Sequence, residues 1–92
     1  MRFLSAVFLL ALFAATTVAP AGVAIAQSCD QLWYERNAIY KRAGYCFKTS
    51  RAIATFGNAG CMYDAETMLP LSPDEQARIA YLVHMEQAFG CR

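Results

Sequence analysis

Four cysteines, at positions 29, 46, 61 and 91, constrain this 92-residue chain more than any other feature. The set is even, no two are spaced C-x-x-C, and His84 is the only histidine. A zinc site draws its thiolates and imidazoles from closely spaced pairs, so two disulfides fit this pattern better and no metal is expected. Disulfides persist in chains that leave the reducing cytoplasm. The first residues supply a route out: Arg2 is a positive start, Phe3 to Val18 is apolar, and Ala24-Ile25-Ala26 is a small-x-small site before Gln27. Residues 1–26 therefore read as a cleaved signal peptide. The apolar core is short for a membrane anchor and is followed by Pro20 and Gly22, so no stable span is expected after cleavage. Lipidation at Cys29 is disfavoured, because Gln27 spoils the lipobox and a modified Cys29 would leave one thiol without a mate.

Taking the 26-residue leader from 92 leaves 66 residues, 27–92, enough for one domain. A chain of that size buries only about 60% of the surface its unfolded form exposes, which is marginal without cross-links. Of the eight Lys and Arg, Arg2 goes with the leader, so seven cations face seven carboxylates. A neutral body without a basic stripe offers no electrostatic purchase for nucleic acid or anionic lipid. Lys41-Arg42 and Lys48 to Arg51 read as a solvated face.

Periodicity predicts three helices. The first starts just after Cys29, with Ser28 or Asp30 at its N-terminus, and stops at Gly44. Its core face carries Leu32, Ile39 and Ala43, widened by Trp33 and Tyr40, while Glu35, Lys41 and Arg42 point to solvent. Arg36 lies within the apolar arc and Asn37 at its edge, so both need partners. An unpaired guanidinium there would cost several kcal/mol, and Arg36 is expected to snorkel or to donate to loop carbonyls. A short second helix, Arg51 to Phe56, is capped by Thr49 or Ser50, with Ile53 and Phe56 on one face, and ends in Gly57-Asn58-Ala59-Gly60. Met62 to Leu71 has no period and reads as a loop pinned by Tyr63, Met68 and Leu69. Ser72-Pro73-Asp74-Glu75 is a capping box with proline in the first turn, opening a third helix that runs to Phe89, ends at Gly90, and is substantially covered by the other elements.

Spacing leaves three disulfide pairings open. The helix layout favours Cys46–Cys61, flanking the short helix, and Cys29–Cys91, brought together if the first and third helices pack antiparallel. The fold class is thus all-α, a small disulfide-stapled bundle of about three helices.

Leu32-Trp33-Tyr34-Glu35-Arg36-Asn37-Ala38-Ile39-Tyr40-Lys41-Arg42-Ala43-Gly44-Tyr45-Cys46-Phe47 resembles the signature of the YARHG domain, a short bacterial domain named for its Tyr-Ala-Arg-His-Gly motif. Here the motif reads Tyr40-Lys41-Arg42-Ala43-Gly44, and the likeness extends to Phe56, Tyr63 and Leu71-Ser72-Pro73-Asp74-Glu75. The resemblance implies an extracellular module, seen beside peptidase or kinase domains and without an assigned activity. Ala43 replaces the motif histidine, so no imidazole chemistry carries over.

No catalytic constellation is legible. Catalysis needs a nucleophile or an acid and base converging in a pocket. His84 is alone, Asp74 and Glu75 suit a helix start, and Asp64 and Glu66 fall far short of a calcium loop. The expectation is a non-catalytic, cofactor-free, exported protein, periplasmic or extracellular. It would bind an envelope protein or glycan through Trp33, Tyr34, Arg36, Tyr40, Arg42 and Tyr45, aromatic groups being good anchors for either. The alternative is a structural or protease-inhibitor-like mini-protein presenting the Phe56 to Met62 turn.

Overall fold

Helix α1, Ala21–Ala43, carries the face on which the rest of the chain assembles. The computed structural model describes residues 21–92, with side chains described from Ser28 onward. The positive start and apolar run of the expected signal peptide lie outside the described residues. Among those described, α1 is followed by α2, Ser50–Phe56, a 3-10 turn at Glu66–Met68, and α3, Pro73–Ala88. The fold is all-α and carries two disulfides.

The start of α1 departs from expectation. The helix passes through Ser28, Cys29 and Asp30 and is already formed at Ala21, the first described residue, instead of starting just after Cys29. Ala21, Ala24 and Ala26 are strong helix formers, and nothing between Val23 and Cys29 breaks the backbone pattern, so a possible cap at Ser28 or Asp30 is overridden. At about 1.5 Å per residue α1 is roughly 34 Å long and α3 roughly 24 Å.

Both long helices stop in the same way. Gly44 adopts φ 97° after α1, with Gly44 N–H donating to Lys41 O and Tyr45 N–H to Tyr40 O, both at 3.1 Å. Gly90 adopts φ 69° after α3, with its N–H donating to Gln87 O at 3.1 Å and Cys91 N–H to Glu86 O at 2.8 Å. These are Schellman closures, which satisfy carbonyls that a helix end would otherwise orphan. Their consequence is positional: each delivers the following segment back toward the bundle, to Cys46 in one case and Cys91 in the other.

Cys29 is bonded to Cys91 and Cys46 to Cys61, with Cα atoms 5.5 and 5.1 Å apart. The first bond ties α1 to the end of α3 and fixes their antiparallel order. The second closes the turn around α2. Backbone pairing reinforces that closure: Cys46 N–H donates to Tyr63 O at 2.8 Å, and Gly44 O accepts from Met62 and Tyr63 N–H at 2.7 and 3.0 Å. Asn58 adds a reciprocal clamp, accepting from Phe47 N–H at 2.7 Å and donating to Phe47 O at 3.0 Å.

The core centres on Tyr40, Phe47, Ala52 and Leu69, with Trp33, Ala43, Tyr45, Phe56, Tyr63, Leu71 and Ile79 packed around them. Four expected contacts differ. Ala52, not Ile53, is the buried residue of α2, because Thr49 caps the helix through Ala52 N–H and rotates Ile53 outward to 43% exposure. Leu69 and Tyr63 pin the long loop, but Met68 sits on the outer side of the 3-10 turn and is exposed. Lys41 turns in far enough to donate from Nζ to Gly57 O at 3.2 Å. Finally, α3 is covered along one stripe only: Leu82 is fully buried, Glu75, Ile79, Val83 and Glu86 are half-buried, and Tyr81 and Phe89 face solvent. Too few elements surround a three-helix body to enclose a helix on all sides.

The start of α3 is as expected. Ser72 Oγ accepts from Glu75 N–H at 3.1 Å, and Glu75 Oε1 accepts from Ser72 N–H at 2.9 Å. That reciprocal pair satisfies two orphan donors, and Pro73 sits where no N–H is needed.

Candidate binding surface

The six aromatic and basic residues singled out from the sequence do not share one surface. Tyr40 is only 5% exposed and belongs to the core; its ring lies 5.8 Å from that of Tyr45. It therefore offers almost no surface to a partner. The one-turn spacing that puts Tyr40 beside Trp33 and Arg36 also aims it at the centre of the bundle.

Arg36 is likewise committed. Its Nε donates to Glu86 Oε1 at 2.6 Å and its Nη2 to Glu86 Oε2 at 3.0 Å, a fork-to-fork ion pair in which both side chains are mostly covered. The partner is a carboxylate on α3, neither solvent nor a loop carbonyl. The hydrogen bonds that it donates to Glu86 hold the guanidinium pKa above its ordinary value against the opposing effect of burial. Asn37, buried beside it, donates to Trp33 O at 2.9 Å within its own helix.

Tyr45 is half-buried, edge-on to Phe47 at 5.2 Å, with Lys48 Nζ 5.0 Å from its ring centre. Lys48 is held there by donating to Cys46 O at 3.0 Å and Asp64 O at 2.6 Å. Arg42 is exposed on the outer face of α1.

Trp33 and Tyr34 remain, and they anchor an aromatic ledge that periodicity alone did not reveal. Phe56 of α2 stacks on Phe47 at 5.3 Å, while Trp33 lies 6.0 Å and Tyr34 5.1 Å from Phe56. One face of Trp33 is occupied: the Arg51 guanidinium sits 3.7 Å from its ring centre and donates to Asp30 Oδ1 at 2.9 Å. Tyr34, by contrast, is 54% exposed. On its far side Glu35 Oε2 accepts from Arg78 Nε at 3.2 Å and Nη2 at 2.5 Å, and Arg78 leans over Tyr81 at 5.2 Å. Between these two ion pairs is an open depression of about 450 Å³ lined by Asp30, Gln31, Tyr34 and Glu35.

Arg51, Asp30 and Gln31 are not among the contact residues expected from the sequence, and Phe56 is there only as part of the alternative contact turn. Their signal is partly there: residues 30, 31, 34 and 35 lie one turn apart on a helix. The contribution of α2 depends on how the Cys46–Cys61 turn folds back, which no local pattern encodes. The Phe56 to Met62 turn is not a free loop either, since Phe56 is in the aromatic stack and Asn58 clamps Phe47, while Ala59, Gly60 and Met62 are exposed.

Among the described residues no group of three or more His, Cys, Asp or Glu is placed to hold a metal ion, and no helix is long and apolar enough to cross a membrane. His84 is exposed on α3. Family comparison matches the YARHG domain over residues 6–87. No curated protein and no solved structure matches the chain.

Proposed function

Because the chain belongs to the YARHG domain family, we propose that it acts as a small exported module of the bacterial cell envelope, binding a protein or a glycan without catalysing a reaction. The two disulfides and the family are consistent with a location outside the cytoplasm. The observation that carries the reading is Tyr34: a large ring, about half exposed, held in a fixed setting by Phe56 and bordered by ordered polar groups. A pre-positioned aromatic side chain loses little conformational freedom when it meets a partner, which is what makes such residues anchors.

A non-catalytic role is supported by the state of the reactive groups. All four thiols are oxidised, and the carboxylates beside Tyr34 are each bound to an arginine. Among the described residues, that arrangement leaves no free thiolate and no unpaired carboxylate lining the depression beside Tyr34.

The test is retention of envelope proteins and of insoluble cell wall by the immobilised oxidised protein, in parallel with Tyr34→Ala. Retention by the parent and its loss in the variant is the expected result. Equal retention by both, or inhibition of a protease by both in the absence of any retention, would move the reading to the stapled inhibitor class.

A further inference from the structure

The depression beside Tyr34 has a chemistry that narrows its ligand. Two carboxylates line it, and each is already matched by an arginine: Asp30 is paired with Arg51, and Glu35 with Arg78. A cationic ligand would have to displace two guanidiniums from their carboxylates, and an anionic one would meet the carboxylates directly. Neither exchange brings a clear gain, because the intramolecular partner is already in place. An uncharged polyol faces no such competition. The carboxylate oxygens keep lone pairs free beyond those given to arginine, and the Gln31 amide offers both a donor and an acceptor.

The ring completes the pattern. A tyrosine face is electron-rich, and the axial C–H bonds on one side of a pyranose present it with weakly positive hydrogens. Trp33 cannot supply that face, since Arg51 covers it at 3.7 Å, whereas Tyr34 is 54% exposed. Phe56, 5.1 Å away, props the Tyr34 ring. The volume, about 450 Å³, lies within the ordinary range for a small-molecule site and is open enough to leave both ends of a sugar chain free.

We propose that the Asp30-Gln31-Tyr34-Glu35 depression binds one uncharged pyranose unit of a glycan, stacked on Tyr34 and hydrogen-bonded by Gln31 and the outer carboxylate oxygens. The proposal rests on the reading of the protein as a binding module and specifies the ligand class of its site. Recognition of a single ring on an open surface gives weak binding per site, suited to a target that repeats the same unit many times, where several copies engage together.

The test is titration of the exported, oxidised, isotopically labelled protein with three separate probes: chitohexaose, maltohexaose and tetramethylammonium chloride, followed by amide and side-chain chemical shifts. The expected result is saturable movement of the Tyr34, Gln31, Asp30 and Glu35 signals with at least one of the two oligosaccharides and none with tetramethylammonium. Tyr34→Ala should weaken that binding about tenfold or more. Gln31→Ala, on the exposed face and outside the core, should weaken it as well, and Met68→Ser, on another element, should leave it unchanged. Thermal melting of each variant separates a lost site from a lost fold. Shifts with tetramethylammonium alone, oligosaccharide shifts that map away from Tyr34, or no shifts with either sugar would overturn the proposal. Retention of an envelope protein that survives such a failure, and still depends on Tyr34, would leave the binding-module reading standing and remove only its glycan.

Discussion

Arg36 on α1 and Glu86 on α3 meet through two parallel hydrogen bonds, 2.6 and 3.0 Å long, at the interface of the two long helices. Both side chains are more than three-quarters covered. At such a site, removing one member leaves the other desolvated and unmatched, while replacing both with apolar groups removes the problem altogether. Glu86→Ala and Arg36→Ala are each expected to lower unfolding free energy by about 2 to 3 kcal/mol, whereas Arg36→Met combined with Glu86→Leu should cost less than either. Denaturant titration of the three variants measures the difference directly.

Gly44 has two reasons to be glycine, and the other positive-φ glycines have one. At φ 97° any side chain is strained, and a Cβ there would lie 3.3 Å from the Tyr63 ring and 3.4 Å from the end of Met62. Gly57, Gly60 and Gly90 also have positive φ but face open space. Gly44→Ala should therefore destabilise by about 2 kcal/mol or more and Gly90→Ala by about 1 kcal/mol. Comparison of their melting temperatures tests the ordering.

The capping box of α3 is local and solvent-accessible, so its contribution should be separable from packing. Ser72→Ala removes the acceptor for Glu75 N–H and is expected to cost about 1 kcal/mol. Chemical denaturation of this variant, with the helix signal read by circular dichroism, checks the value.

Burial pushes the Tyr40 phenol above its ordinary pKa of 10.0. The folded state thus holds the Tyr40 proton more tightly than the unfolded chain does. The stability that accompanies this is fully present below about pH 10 and is lost as pH rises from there through the raised folded value. Tyr40→Phe should show a shallower loss of stability over that alkaline window than the parent. Urea titrations at a series of alkaline pH values are the measurement.

What could be read in the sequence was whatever is decided within a turn or two of chain. The start of α3 was legible because Ser72, Pro73 and Glu75 complete their interactions among themselves. The helix stops at Gly44 and Gly90 were legible for the same reason, and with them the antiparallel return that brings Cys91 to Cys29. What escaped depends on neighbours distant in sequence. That Arg36 would need a partner followed from its place in the apolar arc, but that the partner is Glu86 depends on the rotation of α3. Ile53 looked like a core residue because it is apolar, yet the Thr49 cap sets which face of α2 turns inward, and Ala52 takes the place. The candidate surface suffered most. Tyr40 and Arg36 share a helix face with Trp33, and periodicity has no means of telling a buried stripe from an exposed one when both are aromatic.

The fold depends on two covalent staples holding a body whose apolar interior is small. In the chain-entropy picture the 15-residue closure contributes about 3 kcal/mol and the 62-residue closure about 4 kcal/mol, together a large share of the stability of a domain this size. The decisive measurement is thermal unfolding of the exported protein, followed by circular dichroism, with and without a thiol reductant, after mass spectrometry has established its thiol count. The structure predicts no free thiol before reduction and a melting temperature that falls by roughly 20 °C or more, or a body already unfolded, after it. Four free thiols in protein taken from its own compartment, or an unchanged melt on reduction, would contradict it.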